Sequence, residues 1–454
     1  MFTKIISKLS HKSILVIGMA REGLSTVEFL LKHLDDVKIS VTDTKNLDQL
    51  DPNWTSLIAN NDDLSYLKTD QVKGQSFDYI FKSPGFPQRI LEDKYQLNLE
   101  QTTITSNTQL FFDIIKSFAE PPTTIGITGT KGKTTTTSQI FHILKQAQLP
   151  VVLGGNIGVP PLKMLENNSD IHHSIYVIEL SCHQLAELTV SPKIAIIQDV
   201  SPDHLDYYPD FETYFKAKTA ICKFQSEEDT VIYNADSKTA TKMAELSKGK
   251  KIPFSLNDKD LTKFIKGSHS PLVGSHNLYN TIPAVIVGRN LGLTDEQISK
   301  GIETFVPVSH RIELVKTVSG VKFYNDSAAS APEATVAAIK AFEKNPLILI
   351  VGGSEKGVDF NHLAEVIIDH NVKYLVLFPT TGEKVVNSIR KIDNKHPLLE
   401  NKKLANNMSE AVKISKESAI DGDVVLLSPA SASFNMFKNY EDRGNQFKRL
   451  VNNL

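Results

Sequence analysis

The sequence predicts an α/β protein of three domains, and three observations carry that prediction. Short apolar, β-branched segments alternate with helical patterns along the whole chain, as in parallel sheets covered by helices. At 454 residues the chain is longer than one ordinary domain. In its middle, TTIGITGTKGKTTTTSQ (123–139) reads as a strand, a glycine loop and the start of a helix. The expected domains are 1–110, 111–308 and 309–454. The first and last are expected to be Rossmann-like, and the central one to be built on a mainly parallel sheet around the glycine loop.

In the first domain, SILVIG (13–18) reads as a buried strand, followed by a helical pattern and a second strand ending at Asp43. Gly18 and Gly23 frame the turn, with Ala20 where a dinucleotide fingerprint has its middle glycine. Asp43 lies twenty residues past Gly23, the place of a ribose-binding acid. A nucleotide-type ligand and a purely structural turn both satisfy this pattern. YIFKSPGFP (79–87) adds a turn, Ser83-Pro84-Gly85, that can lie against the same ligand.

The central stretch forms a phosphate cradle, the mark of a P-loop ATPase domain. Backbone N–H groups wrap the anion, the helix N-terminus adds partial positive charge, and Lys133 reaches the outer phosphates. The Thr134 hydroxyl is placed to hold Mg²⁺. The loop is a variant, Gly129-Thr130-Lys131-Gly132-Lys133-Thr134-Thr135, with Ile127 where the usual spacing has its first glycine. VVLGGNIG (151–158) follows as a strand and loop carrying Asn156. SIYVIEL (174–180) ends near Glu179, a strand-end carboxylate that reads as a Mg²⁺ ligand or as an ordinary acid. After the strand KIAIIQDV, the loop SPDHLDYY brings Asp203, His204 and Asp206 to the same edge.

FETYFKAKTAICKFQ (211–225) reads as a helix with Phe211, Tyr214, Phe215, Ile221 and Cys222 on one face and Lys218 at its centre. A lysine so placed is desolvated toward the neutral amine, which reacts with CO₂ to a carbamate. Alternatively its ammonium reaches water along the stem, toward Gln225. Asn277 and Asn280, in GSHNLYN, either cap an apolar helix or face a purine edge. In the last domain, polar loops at 326–332, 352–360 and 428–437 follow three strands and belong at one sheet edge, with Lys356 in the middle loop.

Hydrophobic residues make up 41% and charged residues 22%, as in globular proteins. A net charge of −2 offers no electrostatic footprint for nucleic acid. Two cysteines, Cys182 and Cys222, exclude a disulfide scaffold and suit a reducing compartment. No apolar run approaches bilayer length, so the expectation is a cytoplasmic protein with no membrane partner.

Ten ordered blocks now point one way. They are GTKGKTTT, GGNIG, VIELSCHQL, SPDHLDYY, the Lys218 helix, GSHNLYN, SHRIE, YNDSAAS, VGGSEKGVDF and SPASASFNMFKNYEDRGNQF. Their order resembles that of the Mur ligases across nearly the whole chain, and the last block resembles the glutamate-adding branch. The resemblance implies a domain for a uridine diphosphate substrate, a central ATPase, and a last domain closing over ATP and the amino acid. It implies an ATP-dependent amide ligase of peptidoglycan synthesis, acting as a monomer on UDP-N-acetylmuramoyl-L-alanine, D-glutamate and ATP with two Mg²⁺ ions. Carried over by position, Lys133 and Thr134 serve the γ-phosphate and Mg²⁺, and Glu179 binds one Mg²⁺. His204 and a carbamylated Lys218 bind the other. Asn156 contacts the muramoyl group; Asn277 and Asn280 lie beside adenine; Arg311 and Asp326 close on ATP. Lys356 and Ser433 hold glutamate, with Tyr440 in the place of a phenylalanine. Asp43, Thr44, Arg21, Glu22, Ser83 and Gly85 belong to the uridine pocket.

Departures leave two points open. The family motif N-D-S-K-A-T-N reads Asn325-Asp326-Ser327-Ala328-Ala329-Ser330-Ala331, which touches the amino-acid pocket and makes the same mechanism with L-glutamate an alternative. Arg21 and Glu22 stand where small or apolar residues are common. Other amino-acid ligases, such as the folylpolyglutamate synthetase type, and a P-loop ATPase without ligase chemistry are the alternatives. An acceptor screen separates the first, and amino-acid-independent hydrolysis marks the second.

Overall fold

The computed structural model describes residues 3–204, 207–355 and 357–454. Three sheets are present among these residues. The first comprises β1 (Ser13–Ile17), β2 (Lys38–Thr42), β3 (Leu64–Tyr66), β4 (Tyr79–Lys82) and β5 (Thr103–Thr105), ordered β3-β2-β1-β4-β5 and wholly parallel. The second comprises β6 (Thr124–Thr128), β7 (Val151–Gly155), β8 (Ile175–Glu179), β9 (Ile194–Ile197), β10 (Thr230–Asn234) and β11 (Lys250–Phe254). Its order is β11-β10-β9-β6-β8-β7, again parallel throughout. The third comprises β12 (Glu313–Val318), β13 (Val321–Asn325), β14 (Leu347–Gly352), β15 (Val372–Phe378), β16 (Lys402–Leu404) and β17 (Val424–Leu427). It runs β12-β13-β17-β14-β15-β16, with β12 the antiparallel edge.

Sequence and position agree in these sheets. β6 and β14 are buried at every residue, because each is an interior strand flanked by a strand on either side. The edge strand β11 can therefore carry Lys250 and Lys251 exposed. β6 lies at the point where the order of the second sheet reverses, the crevice in which parallel sheets bind ligands.

The chain forms two compact units, Met1–Ser268 with Tyr279–Ile302, and His269–Leu278 with Glu303–Leu454. The first two sheets share one core in the first unit, in which Phe29 and Trp54 join Phe111, Tyr176 and Tyr214. Residue 110, expected at a domain boundary, lies inside the helix Asn107–Lys116 and in this core. In the second unit, β13, β17 and β14 are parallel neighbours, so their following loops emerge at one edge, as expected. Among the described residues no helix is long and apolar enough to cross a membrane.

Candidate active site

The cradle forms where β6 ends and the helix Lys133–Gln146 begins. Gly132 caps that helix at φ +83°, and a Cβ there would meet the Asn280 side-chain oxygen at 2.3 Å. Asn280 thus packs on the loop, and its carbonyl accepts from Thr136 Oγ1 at 3.1 Å. The Thr130 amide donates to the Asp199 carbonyl at 2.7 Å, tying the loop to the end of β9. Lys133 Nζ folds back onto the carbonyls of Gly129 and Thr130, each at 3.0 Å. Thr134 and Thr135 are half-buried, and Lys131 is exposed.

Lys218 is sealed beneath this loop, with 1% of its surface exposed. Its Nζ donates to the Gly129 carbonyl at 2.8 Å and to Thr128 Oγ1 at 3.4 Å, and lies 5.0 Å from the centre of the Tyr214 ring. Snorkelling is overturned: Gln225 is itself buried, donating to the carbonyls of Pro192 and Thr230. Burial first, then the neighbouring Lys133 charge, lowers the Lys218 pKa to about 7. The helix is also shorter than its pattern, ending at Thr219, with Ile221 and Cys222 buried in the turn beyond. Asp210 caps its start by accepting from the Thr213 amide at 2.7 Å. We predict that Asp210→Ala lowers the midpoint of denaturant unfolding, because the cap of this helix is lost.

Glu179 closes β8, beside β6, and is 1% exposed. Asn156 Nδ2 donates to its Oε1 at 2.7 Å, while Oε2 is buried without a hydrogen-bond partner among the described residues. A buried carboxylate oxygen left over in this way fits a cation. His204 stands in the left-handed region at φ +53°, its ring 4.9 Å from that of His183 and 6.4 Å from that of Tyr214. Among the described residues, no three His, Cys, Asp or Glu side chains stand close enough to hold a metal ion together. Mg²⁺ held by Glu179 would therefore draw further oxygens from Thr134 and the nucleotide phosphates. Asp206 and Lys356 lie outside the described residues.

Two partners of the cradle are not among the residues the sequence singles out for it. The Tyr214 hydroxyl meets Thr130 Oγ1 at 3.0 Å, although the pattern gave Tyr214 only as an apolar stripe position. Gln198, buried after β9, donates to Thr136 Oγ1 at 2.7 Å and to the Tyr279 carbonyl at 3.0 Å. Its place at a strand C-terminus was the available clue.

At the first sheet, Asp43 Oδ2 accepts from the Met19 amide at 2.7 Å, and Oδ1 accepts from the Lys45 amide and the Thr44 hydroxyl. Ser83 Oγ donates to the Gly18 carbonyl at 3.0 Å, so the two turns are adjacent, and Gly85 faces open space. Arg21 and Glu22 both bond to segments that follow strands of the second sheet: Arg21 to the carbonyls of Gly158 and Asn156 after β7, Glu22 to Gln184 in the short helix after β8.

In the second unit, Asp326 is buried and accepts from Ser428 Oγ at 2.8 Å and from the Ile312 amide at 3.3 Å. Arg443, fully buried, donates to Ser327 and to the Ser431 carbonyl, fastening the loops after β13 and β17. Ser433 is buried, whereas Arg311, Ser330 and Tyr440 are exposed. Asn277 donates to the Val273 carbonyl at 2.6 Å. Burial raises the Asp326 carboxyl to about 7. The folded state then keeps a proton that the unfolded chain sheds near pH ~4. Its contribution to stability is full at acid pH and lost as pH rises through about 7. Thermal unfolding between those limits should show this slope, and Asp326→Asn should flatten it.

A phosphate loop at the reversal of a parallel sheet, with a buried carboxylate one strand away, defines a nucleotide-binding ligase or hydrolase. Residues 127–288 match the family model described as Mur ligase middle domain, and 310–431 that described as Mur ligase, glutamate ligase domain. The chain belongs to the Mur ligase family. A UDP-N-acetylmuramoylalanine--D-glutamate ligase of Acetivibrio thermocellus is 36% identical, covering 98% of this chain and 97% of its own. One from Clostridium tetani is 34% identical over 100% of this chain and 99% of its own. Among solved structures, a MurF ligase of Thermotoga maritima in complex with ADP matches with a TM-score of 0.58 at 15% identity, covering 99% of this chain and 97% of its own. MurF from Acinetobacter baumannii matches with a TM-score of 0.61 at 13% identity, covering 99% and 98%. These two likenesses concern the fold.

Proposed function

We propose that this chain is an ATP-dependent amide ligase that joins D-glutamate to UDP-N-acetylmuramoyl-L-alanine in peptidoglycan precursor synthesis. The observation that carries the reading is the convergence of Lys133 and Lys218 on the Gly129 carbonyl, in the same crevice as the partnerless Glu179 oxygen. A lysine ammonium at Lys133, a desolvated amine at Lys218 and an open carboxylate gathered at a phosphate loop suit a metal-assisted reaction that brings several anions together.

In this reaction the acceptor carboxylate oxygen attacks the γ-phosphorus of ATP, the bond to the bridging oxygen breaks, and ADP leaves. The glutamate amine then adds to the acyl-phosphate carbon, loses a proton, and inorganic phosphate departs. Phosphorylation turns a poor electrophile into one with a good leaving group. Bound Mg²⁺ neutralises charge on the phosphate oxygens. We assign Lys133 to the γ-phosphate, and Thr134 and Glu179 to one ion. His204 and Lys218 are assigned to the second ion, the lysine Nζ having added to CO₂ and lost a proton to become a carbamate. The lowered Lys218 pKa and its burial favour that amine chemistry.

Around the acceptor, the 18–23 turn, Asp43, Thr44, Ser83 and Gly85 take the uridine, and Asn156 the muramoyl group. Asn277 and Asn280 take the adenine, with Arg311 and Asp326 also serving ATP. Lys356, Ser433, Ser330 and Tyr440 take the glutamate. We propose three functional domains, the outer two Rossmann-like, in a cytoplasmic monomer.

Phosphate release with Mg²⁺, ATP and UDP-N-acetylmuramoyl-L-alanine, compared across D-glutamate, L-glutamate and other amino acids, tests this. Release with D-glutamate alone is expected. Preference for L-glutamate would keep the mechanism but reverse the enantiomer, and release without any amino acid would sink the ligase reading.

A further inference from the structure

We infer that Arg21 and Glu22 act as a positioning clamp that holds Glu179 in place from the neighbouring sheet. The inference rests on the ligase reading, in which Glu179 is a Mg²⁺ ligand, and it gives these two residues work beyond lining a uridine pocket.

Arg21 opens the helix Arg21–His33, directly after the Gly18 turn. Its guanidinium donates to the Gly158 carbonyl at 2.8 Å and to the Asn156 carbonyl at 3.2 Å. Two bonds from one planar fork fix both the position and the orientation of that loop. Asn156 then holds Glu179 twice: its amide donates to the Glu179 carbonyl at 2.8 Å, and its Nδ2 to Oε1 at 2.7 Å. The Oε1 bond leaves Oε2 as the oxygen without a partner.

Glu22 grips the other side. Its Oε1 accepts from Gln184 Nε2 at 2.7 Å. Gln184 in turn accepts, through Oε1, from the amide of Ser181 at 3.0 Å, two residues beyond Glu179. Adjacent residues therefore hold the segment after β7 and the segment after β8, the two stretches that frame Glu179. The clamp springs from the turn that Asp43 fixes through the Met19 amide.

The test uses the full chain with Arg21→Ala, Arg21→Lys and, as a control, Lys163→Ala. Lys163 pairs with Glu28 at 2.9 Å and Glu166 at 3.3 Å, an ion-pair group that does not include Glu179. Mn²⁺ binding in the presence of ATP is read from the electron paramagnetic resonance of free Mn²⁺, and phosphate release is followed against Mg²⁺ and against acceptor. Arg21→Ala is expected to weaken Mn²⁺ binding by about 10-fold or more, the usual effect of losing a group that orients a metal ligand. Arg21→Lys, which keeps the charge but not the fork, should recover part of it, and Lys163→Ala should match wild type. If Arg21→Ala does not fold, Arg21→Lys alone still reports, with a weakening intermediate between wild type and that expected for the full loss. Unchanged Mn²⁺ binding with a raised acceptor KM would overturn the clamp and leave Arg21 a direct substrate contact. Should the wild type bind Mn²⁺ and ATP but release no phosphate with any amino acid, the ligase reading fails, while the Mn²⁺ comparison still judges the clamp.

Discussion

Lys218→Ala is expected to lower glutamate-dependent phosphate release by at least ~100-fold, with part of the loss restored by a short-chain carboxylate such as formate or propionate in solution. Lys218 is buried against the Gly129 carbonyl and the Tyr214 ring, so truncation opens a small space beneath the loop. If the lysine served only as a cation, a carboxylate would have no reason to help. If it serves as a carbamate, the added anion takes up the missing oxygens. The protein should remain folded, because a buried ammonium is costly and its removal relieves desolvation. Activity near wild type in this variant would contradict the carbamate. Rescue by ammonium ions and not by carboxylates would return Lys218 to a purely cationic role.

The second large effect is at Lys133. Lys133→Ala is expected to cut ATP-dependent phosphate release by about 10²–10³-fold, in the range seen when one preorganised group for developing charge is removed. Its Nζ rests on two loop carbonyls, poised at the mouth of the cradle. Lys133 is also the second cause, after burial, of the lowered Lys218 pKa. Its removal should therefore let Lys218 hold its proton to higher pH, so residual turnover should rise at higher pH than in wild type. Full activity in Lys133→Ala would mean that the loop does not cradle the nucleotide phosphates.

What the sequence revealed depended on how local each signal was. The phosphate loop was readable because its glycines, lysine and threonines are contiguous, between a strand and a helix. Glu179 was readable as a strand-end acid, and Lys218 as a charge centred on an apolar stripe. The end of the Lys218 helix at Thr219 was not, since the apolar spacing continues into a turn whose residues are buried by tertiary packing. The roles of Tyr214 and Gln198 depend on partners brought in by other strands, and nothing beside them in sequence announces those partners. Arg21 shows the limit most clearly, because its carbonyl acceptors lie 135 and 137 residues away. The shared core of the first two sheets was not legible either: residue 110 sits in a helix that packs into it, and the largely exposed, proline-containing stretch from Ser117 to Thr123 follows before β6 begins.

Activation of the acceptor carboxylate by ATP as an acyl phosphate leaves an isotopic trace. UDP-N-acetylmuramoyl-L-alanine labelled with ¹⁸O in its terminal carboxylate is turned over with ATP and D-glutamate, and the inorganic phosphate is analysed by mass spectrometry. Each phosphate released is expected to carry one ¹⁸O, taken from the carboxylate oxygen that attacked the γ-phosphorus. Unlabelled phosphate formed at the same rate as ADP would show that water attacks ATP directly, and would contradict activation as an acyl phosphate.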